Sequence, residues 1–217
     1  LGVTILDIDI NKHVKDHFDL IGHDGVTQDI TYENTQARAR TMILMNLANK
    51  YKGLVLGTGD LSELALGWCT YNGDQMSMYG INAGIPKTLV QFMIYNYAVH
   101  KFDETLKDTL LSIIDTPISP ELTSNQETEE KIGKYEINDF IVHRLLRYGD
   151  NEDRVKWLLV KVFDISDKEA YDYARNFFRR FYSQQFKRQA LPDSPKILDI
   201  SISPRGDLRL PSDIDYN

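Results

Sequence analysis

The sequence predicts an α/β domain, with a parallel sheet leading into a mostly helical second half. Two stretches read as strands, the segment between them reads as a helix, and six later segments carry helical periodicity. Val3 to Ile10 (V-T-I-L-D-I-D-I) is β-branched and almost continuously apolar, as expected of a strand buried on both faces of a parallel sheet. A polar stretch with His13, His17, His23 and Gly25 follows. Thr31 to Lys50 then predicts a helix closed by Gly53, on which Asn34 and Arg38, four apart, share a face. Leu54-Val55-Leu56 reads as a second short buried strand, so strand, crossover helix and strand form a βαβ unit. Ligands in such sheets bind beyond the carboxyl ends of the strands, which points to Gly57-Thr58-Gly59-Asp60.

Further helices are predicted over Leu61 to Trp68, Pro86 to Lys101, Glu104 to Ile114, Glu136 to Tyr148, Asp153 to Phe163 and Lys168 to Gln185. The connections Thr70 to Ile85 and Thr116 to Lys134 are long enough to act as lids or mobile segments. The proline-rich tail from Leu191 reads as extended, with one strand at Ile197 to Ile202, and no internal repeat is visible.

The chain has 217 residues, 42% hydrophobic and 26% charged, which fits one globular domain. A net charge of -7 argues against a nucleic-acid backbone as the main partner, since that requires a basic face. No apolar run is long enough to span a bilayer, and Leu1-Gly2-Val3 has neither the basic nor the apolar section of a secretion signal. A cytoplasmic protein is expected, and one cysteine, Cys69, fits a reducing compartment. The first residue is not methionine, and the opening runs straight into a strand-like stretch, so the chain reads as a piece of a longer polypeptide.

Several residues could carry chemistry. The turn G-T-G-D at a helix start could hold an anion, but Asp60-Leu61-Ser62-Glu63 also has capping-box spacing, and spacing alone favours the cap. Lys87, just after Pro86, puts a cation at the positive end of a helix dipole; it is either solvated or waiting for a phosphate. Lys187 and Arg188 could hold phosphates, yet cations late in a helix also complement its negative end, and that reading leads. His13 and His17 have the spacing of a helical metal pair, but no further ligand accompanies them, so surface histidines are expected. Cys69 reads as a buried structural cysteine rather than a nucleophile.

The stretch G-T-G-D-L-S-E-L-A-L-G-W-C-T-Y-N-G-D-Q-M-S-M-Y-G-I-N-A-G-I-P-K-T-L-V, Gly57 to Val90, resembles the signature of glutamine-dependent NAD synthetases. Y-E-N-T-Q-A-R-A-R upstream, and K-Y-E-I-N-D-F, Q-F-K-R-Q-A-L-P-D-S-P-K and S-P-R-G-D-L-R-L-P-S-D downstream, are similar to that family in the same order. Relatives that use free ammonia carry G-T-D-H-A-A-E at the turn, so G-T-G-D-L-S-E favours the glutamine-using branch.

The resemblance implies a Rossmann-like parallel sheet of the adenine-nucleotide α-hydrolase type with additional C-terminal helices, truncated at its N-terminal side. It also implies a ligase: ATP adenylates the nicotinate carboxylate of deamido-NAD, and ammonia from a glutaminase domain displaces AMP. By motif, Thr58, Lys87 and Ser119 correspond to ATP-binding residues, and Asn34, Arg38, Trp68 and Lys187 to residues that bind deamido-NAD. Glu63 and Lys187 correspond to catalytic positions, with Glu63 also a Mg2+ ligand. Ile118 and Pro120 depart from the family's P-S-A-E-L loop, and Phe186 stands where many ammonia-using relatives have histidine. The phosphate loop S-G-G-x-D-S is absent from these residues, as is the glutaminase domain, for which Cys69 is no stand-in. Residues 1–217 therefore read as a partial ATP-pyrophosphatase-type domain, inactive alone, from a homo-oligomeric parent. Another ATP-pyrophosphatase-fold ligase or thiolase relative, and a noncatalytic module retaining the fold, are the alternatives.

Overall fold

The computed structural model describes residues 2–119 and 128–216. Its N-terminal end differs from expectation. Val3 to Ile10 is not a strand: Val3 is 71% and Ile5 83% exposed, and the segment pairs with nothing in the sheet. An apolar β-branched run becomes a strand only where a neighbouring backbone completes its ladder, and among the described residues none does.

The polar stretch after it folds as helix α1 (Asn11–Ile21). Two apolar residues, four apart, are enough: Val14 and Phe18 pack against Ala39, and the Phe18 ring stacks on Tyr32 at 5.4 Å. Helix α2 (Ile30–Tyr51) supplies that surface, and Asp29 caps it by accepting from the Tyr32 backbone N–H.

The parallel pair is also different. Strand β1 (Leu56–Gly57) lies beside β2 (Tyr79–Gly80), in register Leu56 to Tyr79 and Gly57 to Gly80. The crossover between them contains helix α3 (Leu61–Leu66), so the βαβ unit sits one element later than predicted. Leu54 and Leu56 are exposed rather than buried. Gly57 is required by close approach, because a Cβ there would collide with the Ser77 side chain.

The remaining elements are α4 (Lys87–Lys101), α5 (Glu104–Asp115), α6 (Thr128–Ile132), α7 (Tyr135–Tyr148), α8 (Glu152–Phe163), α9 (Asp167–Ser183) and α10 (Gln185–Gln189). Five match the predicted helices closely. The short α6 was not expected, and the single helix predicted over Lys168 to Gln185 ends at Ser183. A separate turn of helix, α10, then carries Lys187 and Arg188. Of the long connection predicted from Thr116 to Lys134, residues 120–127 lie outside the described residues.

One main core joins α3 to the helical half. Leu61, Ala65 and Leu66 of α3 belong with Ile141 and Val142 of α7, Val155 and Leu159 of α8, and Ala170, Ala174, Phe177 and Phe181 of α9. Alanines at 170 and 174, one turn apart, let α8 and α9 approach closely, while Phe177 and Phe181 stack at 5.8 Å. The tail contributes Leu191, Ile200 and Ile202, but Ile197 to Ile202 forms no strand. Its apolar residues are used for packing, without a second backbone to pair with. Helix α3 is therefore buried except at Glu63, and its two ends are where polar side chains gather.

Candidate functional site

At the N-terminus of α3, both halves of the capping box form: Asp60 accepts from the Glu63 N–H at 3.0 Å, and Glu63 accepts from the Asp60 N–H at 3.2 Å. The same two carboxylates also clasp Lys87. Its Nζ lies 2.6 Å from Asp60 Oδ2 and 2.7 Å from Glu63 Oε1, with the Tyr135 ring 5.7 Å away. Capping and ion pairing are thus compatible uses of one residue.

Asp60 is 2% exposed, and burial, reinforced by Glu63 and opposed by Lys87, pushes its carboxyl up to about 7. For Lys87, burial works against the charge, but the two carboxylates outweigh it and leave the ammonium firmly protonated. These directions agree with a site holding one cation and two acids, in which one carboxyl keeps its proton near neutrality.

The C-terminal end of α3 is satisfied by cations. Lys187 Nζ donates to the Gly67 carbonyl at 2.8 Å and the Cys69 carbonyl at 2.7 Å. Arg188, 1% exposed, donates to the carbonyls of Ala65 at 2.7 Å, Leu64 at 3.4 Å and Phe181, and its Nε donates to Gln185 at 2.8 Å. Burial lowers the pKa of both, that of Arg188 to about 10. The pair does complement the negative end of a helix, but chiefly that of α3 rather than of the helix before it in sequence, where only Arg188 reaches a carbonyl, that of Phe181. Gly67 makes the junction possible: its φ is +59°, and the Gln184 side chain occupies the space a Cβ would need.

Asn34 and Arg38 do share a face, and that face meets the segment leaving α3. Thr70 Oγ1 donates to Asn34 Oδ1 at 2.9 Å, and Arg38 Nε donates to the Tyr71 carbonyl at 3.2 Å. Trp68 is half-buried, with the Arg180 guanidinium 5.4 Å from its ring centre. Thr58 is exposed at the end of β1, and its carbonyl accepts from Asn82 at 3.5 Å. Ser119 is exposed and borders residues 120–127.

Glu63, Lys87, Lys187, Asn34, Arg38 and Trp68 are therefore linked through α3 and its flanks, spread over a six-residue helix about 9 Å long. None of the eight predicted residues lines either of two neighbouring cavities. One, of about 420 Å³, runs behind the α4 N-terminus between Pro86, Asp139, His143, Arg147 and Leu198.

Sequence reading missed the groups that hold Lys87 from behind. Ser62 Oγ accepts from the Lys87 N–H at 2.8 Å and donates to Asp139. Asp139 also accepts from the Thr88 N–H at 3.0 Å and Thr88 Oγ1 at 2.7 Å. Only the Y-E-I-N-D stretch, with Tyr135 and Asp139 four apart on a helix, could have hinted at this.

His13 and His17 are exposed, as expected, and among the described residues no cluster of three or more histidine, cysteine or acidic side chains could hold a metal alone. Mg2+ needs less, since one or two carboxylates suffice when phosphate oxygens complete its shell. Glu63, its side chain 24% exposed, fits that demand. Cys69 donates to Gln75 at 3.0 Å, and burial pushes its thiol up to about 12, consistent with a structural cysteine.

The helix α3, its two ends ordering carboxylates and cations, lies within a stretch that known proteins share. The family model for NAD synthase matches residues 1–190, and the chain belongs to that family. It is 43% identical over 246 residues to the glutamine-dependent NAD(+) synthetase of Mycobacterium leprae, covering 99% of this chain and 36% of the relative. The Mycobacterium bovis enzyme of the same name is 41% identical over 245 residues, with the same coverage. The chain thus spans just over a third of the length of these relatives. The crystal structure of a glutamine-dependent NAD(+) synthetase from Cytophaga hutchinsonii shares the fold over 97% of this chain and 34% of its own, with TM-score 0.77 at 22% identity. The predicted α/β class stands, with a sheet smaller and helices more dominant than the sequence suggested.

Proposed function

We propose that this chain is part of the amide-forming domain of a glutamine-dependent NAD synthetase, converting deamido-NAD to NAD with ATP and ammonia. The observation that carries the reading is the pairing of Lys87 with Asp60 and Glu63 at the end of β1, where α/β sheets bind phosphates. The nicotinate carboxylate becomes an electrophile only when one oxygen is made into a leaving group, and joining it to an α-phosphate brings negative charges together. In this reading Lys87 exchanges its carboxylate contacts for nucleotide phosphate oxygens, with Thr58 and Ser119 lining the ATP side. Mg2+, when bound, would neutralise phosphate charge, and Glu63 would hold it.

Asn34, Arg38 and Trp68 would take deamido-NAD, because their face of α2 and the segment after α3 already meet. Lys187 would stand beside the reacting carboxylate, its ammonium held by the Gly67 and Cys69 carbonyls against the cost of burial. Ammonia then attacks the adenylated carbonyl carbon, AMP leaves, and the amide of NAD remains. The phosphate loop and the glutaminase domain would come from other parts of a longer, cytoplasmic, homo-oligomeric protein.

The test is to supply the full-length protein with ATP, Mg2+, deamido-NAD and either glutamine or ammonium. NAD, AMP and pyrophosphate should appear in equal amounts, and Glu63→Gln should lower turnover sharply without unfolding the protein. ADP in place of AMP, or unchanged turnover in Glu63→Gln, overturns the reading.

A further inference from the structure

We infer that Asp139 is a positioning residue for Lys87, acting as a cap supplied to α4 from another helix; this rests on the phosphate-binding role proposed for Lys87. Helix α4 begins after Pro86, which has no side chain able to accept from its first N–H groups. Its first two donors are nevertheless satisfied. The Lys87 N–H donates to Ser62 of α3, and the Thr88 N–H donates to Asp139 of α7 at 3.0 Å.

Asp139 is 9% exposed, and both its oxygens are used: one accepts from Ser62, the other from the backbone and hydroxyl of Thr88. Three helices are therefore tied at one carboxylate, which sits at the positive end of the α4 dipole, where a negative charge is favoured. The arrangement offsets the awkward placement of the Lys87 cation. It also fixes where the Lys87 side chain starts, so that its Nζ reaches Asp60 and Glu63.

One turn earlier on α7, Tyr135 covers the same ammonium. Helix α7 thus walls Lys87 from behind twice, with an aromatic ring over its tip and a carboxylate at its root. Asp139 itself borders the 420 Å³ cavity and bonds to Ser62 and Thr88 rather than to Glu63, so besides the attraction between its charge and the Lys87 ammonium its hold on Lys87 runs through the start of α4.

The experiment uses full-length protein carrying Asp139→Ala, Asp139→Asn or Ser62→Ala, assayed well below each melting temperature. ATP affinity is measured by equilibrium binding, and KM for ATP and for deamido-NAD by kinetics. Asp139→Ala should weaken ATP binding and raise its KM about tenfold or more, with the deamido-NAD KM within about twofold. Asp139→Asn, whose amide oxygen can still accept from Thr88, should recover most of the loss, and Ser62→Ala should fall between. A lowered melting temperature with ATP affinity unchanged in all three variants overturns the inference and leaves the proposed activity standing. Absence of ATP binding by the unsubstituted protein overturns both.

Discussion

Replacing Lys87 with methionine removes an ammonium while keeping most of its stem, and the structure sets how the cost should vary with pH. In the unsubstituted protein Nζ lies 2.6 Å from Asp60, whose side chain is 3% exposed, and 2.7 Å from Glu63. Burial holds the Asp60 carboxyl at about 7 instead of 3.8. The folded state therefore keeps a proton that the unfolded chain has released, and stability falls as pH rises through that window. Below about pH 7 Asp60 is protonated with or without Lys87, and the substitution costs only the partly exposed contact with Glu63, about 1 kcal/mol. Above it, the unsubstituted protein ionises Asp60 against Lys87, whereas the variant must keep the proton, at about 1.4 kcal/mol for each further pH unit. The penalty should therefore be larger at pH 8 than at pH 6, by roughly 1–2 kcal/mol. Urea titrations of both proteins from pH 5.5 to 8.5 measure the difference. A penalty flat across that range, or larger at pH 6 than at pH 8, refutes the account of the buried clasp.

Arg188→Met should destabilise the protein by about 3–5 kcal/mol in the same titration, because the Ala65 and Phe181 carbonyls and the Gln185 amide oxygen lose a buried charged donor. Arg188→Lys should not restore it, since one ammonium cannot reproduce the fork that spans Ala65 and Phe181; a loss under about 1 kcal/mol for the methionine variant would contradict this. With its thiol at about 12 rather than 9.0, Cys69 should be alkylated by iodoacetamide at pH 8 about a thousandfold more slowly in the native protein than in urea. Mass spectrometry follows the reaction, and rates within tenfold of each other would show that the thiol is not held as described.

How much was legible in the sequence varies by element. Helices such as α2, α7 and α8 could be read because their boundaries are local: Asp29 and Asn151 cap their own helices, and the apolar spacing repeats along one face. The capping box at Asp60 and Glu63, and the shared face of Asn34 and Arg38, are likewise consequences of spacing within one turn. The strands were misplaced because pairing is not local. Val3 to Ile10 has better strand composition than Leu56-Gly57, yet only the latter has a partner beside it.

What the sequence determined by itself, then, is the family, the helical frame and the residue types brought to α3. Tertiary structure alone decided how those residues are engaged. It gave Lys87 two acids to hold, turned Lys187 and Arg188 toward the carbonyls at the other end of α3, and brought Asp139 from 51 positions away to accept from Thr88 and cap a helix that proline could not cap. The reason is physical: Asp139 and Arg188 are buried and the two lysines largely so, and a polar group taken out of water must find a partner wherever the packed chain offers one.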